Sequence, residues 1–308
     1  MINLRDLQYA VAVAEERHFG RAAERCHVSQ PTLSGQLRKL EESLGVSLFE
    51  RTSRSVAVTP AGAAILQHAR RALAEAAEIE ALARARRDPL AGPLRLGVIP
   101  TVSPSLMPLV LGPLKRRCPK LTPVLFEEVT EALLARLAAH EIDAAIIATT
   151  PEAPELARLP LYDEPFWVAY PKGHALDALA EITEADLAGA DLLLLTDGHC
   201  LRDQALAVCN LGGAAERDGF RATSLETLRQ MVAAGVGVTL LPRLAVHAPV
   251  PASPDVALVE FAAPAPHRQI AMFWRETSGY RELLPQLAEQ VRRSVVDLVE
   301  PRVPVAFA

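Results

Sequence analysis

Apolar residues in the first ninety positions recur at helical spacing. Leu4, Leu7, Ala10, Val11 and Ala14 fall on one face and predict a helix over 4–18. A shorter helix fits Arg21 to Cys26. Leu33, Leu37, Leu40 and Leu44 mark a third, with Ser29 as its N-cap, Pro31 in its first turn and Gly45 as its stop. Residues 51–59, RTSRSVAVT, lack a helical period and end in β-branched residues, which predicts a small two-stranded wing. Pro60 then opens a long helix to about Arg87. Along it Ile65, Ala69, Ala72, Ala76, Ile79 and Ala83 alternate spacings of four and three. That heptad-like seam of small residues predicts a dimerisation arm.

The stretch DPLAGP at 88–93 has the composition of a hinge. Beyond it the pattern becomes strand–helix alternation. Strands are expected at 94–99, 122–128, 143–148, 166–170, 191–195 and 237–241. Helices are expected near 104–117, 131–140, 200–209, 224–234 and 279–299. This is an α/β pattern with a largely parallel sheet. One such sheet needs only about 100–150 residues, so the length that remains predicts two similar subdomains. The expected division is 1–59 for a winged helix-turn-helix, 60–88 for the linker helix and 89–308 for an α/β regulatory domain.

Composition narrows the function classes. No run of some 18 apolar residues is present, and the N-terminus lacks the apolar core of a signal peptide, so a cytoplasmic protein without membrane contact is expected. In that compartment the four cysteines, Cys26, Cys118, Cys200 and Cys209, do not predict a structural disulfide framework. None forms a CxxC pair, so neither a zinc site nor any other metal or cofactor is expected. The net charge of −5 is unevenly placed: residues 1–88 carry 13 Lys and Arg against 11 Asp and Glu, and the acidic excess lies beyond them. Any contact with nucleic acid must therefore be local.

The third helix supplies such a local contact. Gln30, Thr32 and Ser34 lie near its N-terminus, away from the leucines. Gln pairs bidentately with adenine, and Ser or Thr contacts several base edges or a phosphate. Arg38 and Lys39 further along, and Arg51 and Arg54 in the wing, suit the backbone or a narrow minor groove of double-stranded DNA. The alternative at this point is a capped amphipathic helix facing water. The wording of 18–62 adds to the geometry. Ala22-Ala23, Ser29-Gln30-Pro31, Leu40-Glu41, Leu44-Gly45, Leu48-Phe49, Arg51 and Thr59-Pro60-Ala61-Gly62 closely resemble the DNA-binding domain of LysR-type regulators. The resemblance implies a winged helix-turn-helix, a linker helix and a two-subdomain effector domain of the periplasmic-binding-protein kind. It also implies a homotetramer (a dimer of dimers) on DNA and contact with RNA polymerase, with no enzymatic role.

A second segment, DGHCLRDQA at 197–205 followed by Cys209, carries redox chemistry. A strand ends, a Gly-containing turn follows and a helix begins near Cys200. A thiol at a helix N-terminus beside Arg202 is expected to be acidified. A thiolate attacks peroxide to give a sulfenic acid, which condenses with a second thiol, and Cys209 is the nearest candidate. If 200–209 is one helix, the two Cα atoms stand about 13–14 Å apart, whereas a disulfide needs about 4.4–6.8 Å. The bond then requires local refolding, for which Asn210-Leu211-Gly212-Gly213 offers soft backbone. The plain alternative is that both cysteines are small buried hydrophobes.

The wording here, with FRATSLETLRQMVAAGVGVTLLP at 220–242, resembles the peroxide-sensing members of the same family. The resemblance implies hydrogen peroxide as the signal and antioxidant genes as targets. It makes Cys200 the peroxidatic thiol and Cys209 the resolving one, with Thr101, Thr130, His199, Arg202 and Asp203 around the reactive sulfur. Residues 210–219 match that pattern less well. Two other readings stay open: a regulator of this family that binds a small organic effector, and a thiol enzyme using Cys200, His199 and Asp203.

Overall fold

The computed structural model describes residues 2–51, 56–88, 90–212, 215–247 and 253–299. It divides into two compact units, one running through Ala83 and the other built from the remainder apart from residues 139–141.

The first unit contains α1 (Leu4–Glu16), α2 (Phe19–Arg25), α3 (Gln30–Leu44), β1 (Phe49–Arg51), β2 (Val56–Val58) and most of α4 (Pro60–Arg87). Each short helix is capped by its own sequence. Asn3 accepts the Arg5 N–H, His18 accepts that of Arg21, and Ser29 accepts that of Thr32. Gly45 ends α3 in the left-handed region at φ 68°, where a side chain would be strained. Val13, Ala22, Leu33, Leu37 and Leu48 are fully enclosed in one core. The Glu41 carboxylate accepts from the Leu48 and Phe49 backbone N–H groups and so fixes the start of the wing. The Thr59 hydroxyl donates to the Ser47 carbonyl and accepts from the Gly62 N–H, capping α4. A Cβ on Gly62 would lie 2.3 Å from the Leu48 carbonyl oxygen, so this contact admits only glycine. The wing pairs antiparallel from Phe49 opposite Val58 to Arg51 opposite Val56. The residues between, 52–55, lie outside the described residues.

The second unit runs β3 (Gly92–Val98), α5 (Ser103–Arg117), β4 (Leu121–Glu127), α6 (Thr130–Ala138), β5 (Ala144–Ile147), β6 (Leu156–Pro171), β7 (Glu181–Ile182), β8 (Asp191–Leu195), α7 (Cys200–Gly212), β9 (Ala215–Ala222), α8 (Leu225–Ala233), β10 (Thr239–Pro242), α9 (Arg243–Val246), β11 (Val256–Phe261), β12 (His267–Arg275) and α10 (Leu284–Val299). The strand order is β4-β3-β5-β12-β6-β11-β7, with β10 also on β6 and β8 beside β9. Two apolar cores show two lobes. One centres on Leu96, Ile146, Met272 and Leu284, the other on Val168, Leu193, Leu201 and Leu240.

The sheet is mixed, not largely parallel. β3 lies parallel to β4 and β5, but β12 runs antiparallel to β5 and β6, and β10 and β11 run antiparallel to β6. The cause is β6, a strand of 16 residues that serves both lobes. The chain that leaves the first lobe along it must return, and β12 brings it back against the same strand. Among the described residues no helix is long and apolar enough to cross a membrane.

Candidate functional site

The reactive segment starts where β8 ends. Gly198 turns the chain at φ 92°, and α7 begins at Cys200. Cys200 is half-buried and packs against the core of the first lobe, while Leu201, Ala205 and Cys209 on the same helix belong to the core of the second. The two thiols thus lie on one unbroken helix yet face different lobes. Gln204, one turn beyond Cys200, donates to the Ala148 carbonyl at the end of β5 and ties α7 to the first lobe. Nine helical steps separate the cysteines by about 13–14 Å, and both thiols are free.

Thr101, just beyond β3, is buried, and its hydroxyl accepts from Arg268 at 2.9 Å. Thr130 opens α6, and its hydroxyl oxygen is buried without a conventional partner. It faces the Cys200 sulfur, whose ionised form it favours. Gln204 Oε1 is likewise buried and unpartnered. Buried oxygens without a partner suit a small hydroxylic molecule, because each stands to gain a hydrogen bond.

The cation of the pocket is Arg268 on β12, which sequence reading did not find. It donates from Nε and Nη2 to Glu164 Oε2 at 2.9 and 2.8 Å, and from Nη1 and Nη2 to the Thr101 hydroxyl and carbonyl. Both side chains of this ion pair are fully enclosed. Removing one partner of such a pair costs about 3–5 kcal/mol, because the other charge is left buried alone. The expectation that Arg202 charges the pocket is corrected. Its Nε pairs with Asp197 Oδ1 at 3.0 Å and its Nη1 donates to the Leu195 carbonyl, so its charge is spent on the preceding turn. Arg221 holds the other oxygen of Asp197 at 2.9 Å.

The expected acidity of Cys200 is corrected as well. Burial pushes its thiol up, and this outweighs the opposing influence of Arg268, the Thr130 hydroxyl and the backbone N–H groups of Leu201 and Cys200. Cys209 is pushed up to about 12 by burial. Burial also lowers His199, whose imidazole is therefore neutral at pH 7. Asp203 is exposed in the first turn of α7, where its charge complements the helix N-terminus.

In the first unit, Gln30, Pro31, Thr32, Arg38 and Lys39 are exposed along α3. The Thr32 hydroxyl shares a 2.7 Å hydrogen bond with Ser29, so it is partly committed to the cap. Ser34 is half-buried. Arg51 closes β1, and Arg54 lies outside the described residues.

Residues 4–63 match the model of the bacterial regulatory helix-turn-helix proteins of the lysR family, and residues 87–295 match the LysR substrate-binding domain. A hydrogen peroxide-inducible genes activator from Pectobacterium carotovorum subsp. carotovorum is 47% identical over 97% of this chain and 99% of its own. The DNA-binding transcriptional dual regulator OxyR of Escherichia coli (strain K12) is 48% identical over 94% of this chain and 95% of its own. The solved structure of a full-length OxyR variant from Pseudomonas aeruginosa, 40% identical, superposes with a TM-score of 0.76 over 95% of each chain.

Proposed function

This chain belongs to the LysR family of bacterial helix-turn-helix regulators, and we propose that it is a DNA-binding transcription regulator that senses hydrogen peroxide through Cys200 and Cys209. One observation carries the reading: a half-buried thiol at a helix start, under the influence of Thr130 and Arg268, shares an unbroken helix with a second thiol it cannot reach. The likeness to regulators named for peroxide induction supports it.

The chemistry balances as follows. Cys200 Sγ attacks one peroxide oxygen, the O–O bond breaks, and the departing oxygen takes up the thiol proton and leaves as water. The product is a sulfenic acid. Cys209 Sγ then attacks that sulfur, an S–S bond forms, and the S–OH oxygen departs with the Cys209 proton as a second water. Thr101, Thr130 and Gln204 hold the peroxide, Arg268 supplies positive charge, and neutral His199 is available to accept a proton. Asp203 and Arg202 act on the turn and helix start that present the thiol. The oxidised segment alters the face that one effector domain offers another, and so the spacing of the DNA heads. The family resemblance supports a homotetramer, antioxidant target genes and contact with RNA polymerase in the cytoplasm. The protein acts as a switch, without turnover.

Mass spectrometry of peroxide-treated protein tests the reading. A Cys200–Cys209 bond is expected in the unsubstituted protein. Cys209→Ala, which keeps the second lobe's core apolar, should stop at sulfenic acid on Cys200, and Cys200→Ser should do neither. A peroxide-dependent operator footprint that survives loss of both thiols would sink it.

A further inference from the structure

Glu164 lies on β6, a strand to which sequence reading gave no chemistry. It is 1% exposed, and both its oxygens are engaged: Oε2 accepts two N–H groups of Arg268, and Oε1 accepts the Leu244 N–H of α9 at 2.8 Å. Arg268 in turn spends two further N–H groups on Thr101. Four of the five guanidinium N–H groups are thus fixed, which leaves the cation almost no freedom of position. Through the Leu244 bond the carboxylate is itself anchored to α9. We infer that Glu164 is a positioning residue for the thiol chemistry: it aims Arg268 into the peroxide pocket and, by pairing with it, limits the positive charge that Cys200 meets.

A bare guanidinium in a dry pocket would hold a neighbouring thiol strongly ionised. A guanidinium clamped to a carboxylate presents a dipole, whose influence falls off faster than that of a charge. The other groups cannot stand in for it. Arg202 is paired with Asp197 on the turn before α7, and Asp203 is exposed on that helix. His199 is held neutral, and Thr130 at the start of α6 carries no charge. Tyr162, buried on β6, faces the same pair: its phenol is pushed well up, first by burial, then by Glu164, against Arg268. Burial raises the thiol, and the pairing with Glu164 sets how far Arg268 opposes it. A protonated thiol is protected against chance oxidants.

This inference rests on the peroxide-sensing reading, but its test needs no peroxide. The rate of Cys200 alkylation by iodoacetamide is followed against pH in the reduced full-length protein, each site read by mass spectrometry. Glu164→Gln should move the profile to lower pH by about one unit. Glu164→Asp retains the charge and should leave the profile within a few tenths of its place. Arg268→Gln should move it upward, and Glu164→Gln should move it less in the Arg268→Gln background than in the unsubstituted protein, because Glu164 acts mainly through Arg268. That neutral pair also serves if Glu164→Gln alone does not fold, as thermal melting would show. A Glu164→Gln profile that is unmoved or moves upward overturns the inference. So does an equal shift with Glu164→Asp, or an equally large shift from Glu164→Gln in the Arg268→Gln background. None of these outcomes bears on whether Cys200 and Cys209 form a bond.

Discussion

At Cys200 two influences of opposite sign meet on one sulfur. Burial disfavours the thiolate, while Arg268, Thr130 and two backbone N–H groups favour it, and burial wins. The thiol is therefore mostly protonated at neutral pH. Its alkylation should rise about tenfold per pH unit and continue rising beyond the value of about 8.5 typical of an exposed cysteine. Thr130→Val, which deletes a donor to the charged sulfur, should slow the reaction at pH 7 about tenfold, since hydrogen bonds to charged groups are worth about 1.5–3 kcal/mol. A profile that levels off below 8.5 in the unsubstituted protein would contradict this account. The sequence located the thiol because its surroundings are local: a glycine turn, a helix start, a histidine beside it. It could not locate Arg268, Glu164 or the bond from Gln204 to Ala148, because each depends on a strand more than thirty residues away. Arg202 misled for the same reason. Its proximity in sequence was plain, whereas its commitment to Asp197 needed the fold of the turn.

Among the elements, α3 is the one whose sequence speaks most fully. Ser29, Pro31 and Gly45 mark its limits, and Leu33, Leu37 and Leu40 its buried face. Gln30 is left exposed at its N-terminal end. Gln30→Ala should weaken specific operator binding by about 1–3 kcal/mol without changing the salt dependence, as competition footprinting at two salt concentrations would show. An unchanged preference for the operator would take Gln30 out of base reading. Strand β6 is the opposite case. Pro160 and Pro165 speak against a strand interior, so only its last third was legible. The structure accommodates Pro160 where the register against β12 slips between Ile270 and Ala271, and Arg292 of α10 donates to its carbonyl. Strands β11 and β12, which flank Pro264 and Pro266, were not among the expected strands. With them went the antiparallel return of the sheet.

For the molecule as a whole, the decisive fact is that Cys200 packs on one lobe and Cys209 in the other while both ride on α7. Joining them requires that the helix come apart and that Cys200 leave the first lobe or Cys209, 0% exposed, leave the apolar core it shares with Leu201 and Ala205. Amide hydrogen exchange across 200–212 should accordingly rise on oxidation, while β3, β5 and β12 in the first lobe stay protected. Equal protection of α7 in both redox states would show that the bond forms without refolding and would remove the link to DNA. The burial of Cys209 has a further consequence, which concerns time. The event that sets the switch and the event that clears it act on different structures: the first meets an ordered helix with Cys209 buried, the second a segment in which the two sulfurs are joined. Onset and recovery therefore have separate barriers, and each is adjustable by mutation without the other. The oxidised form should persist for a time set by its own reduction, as the decay of the disulfide after peroxide is removed would show.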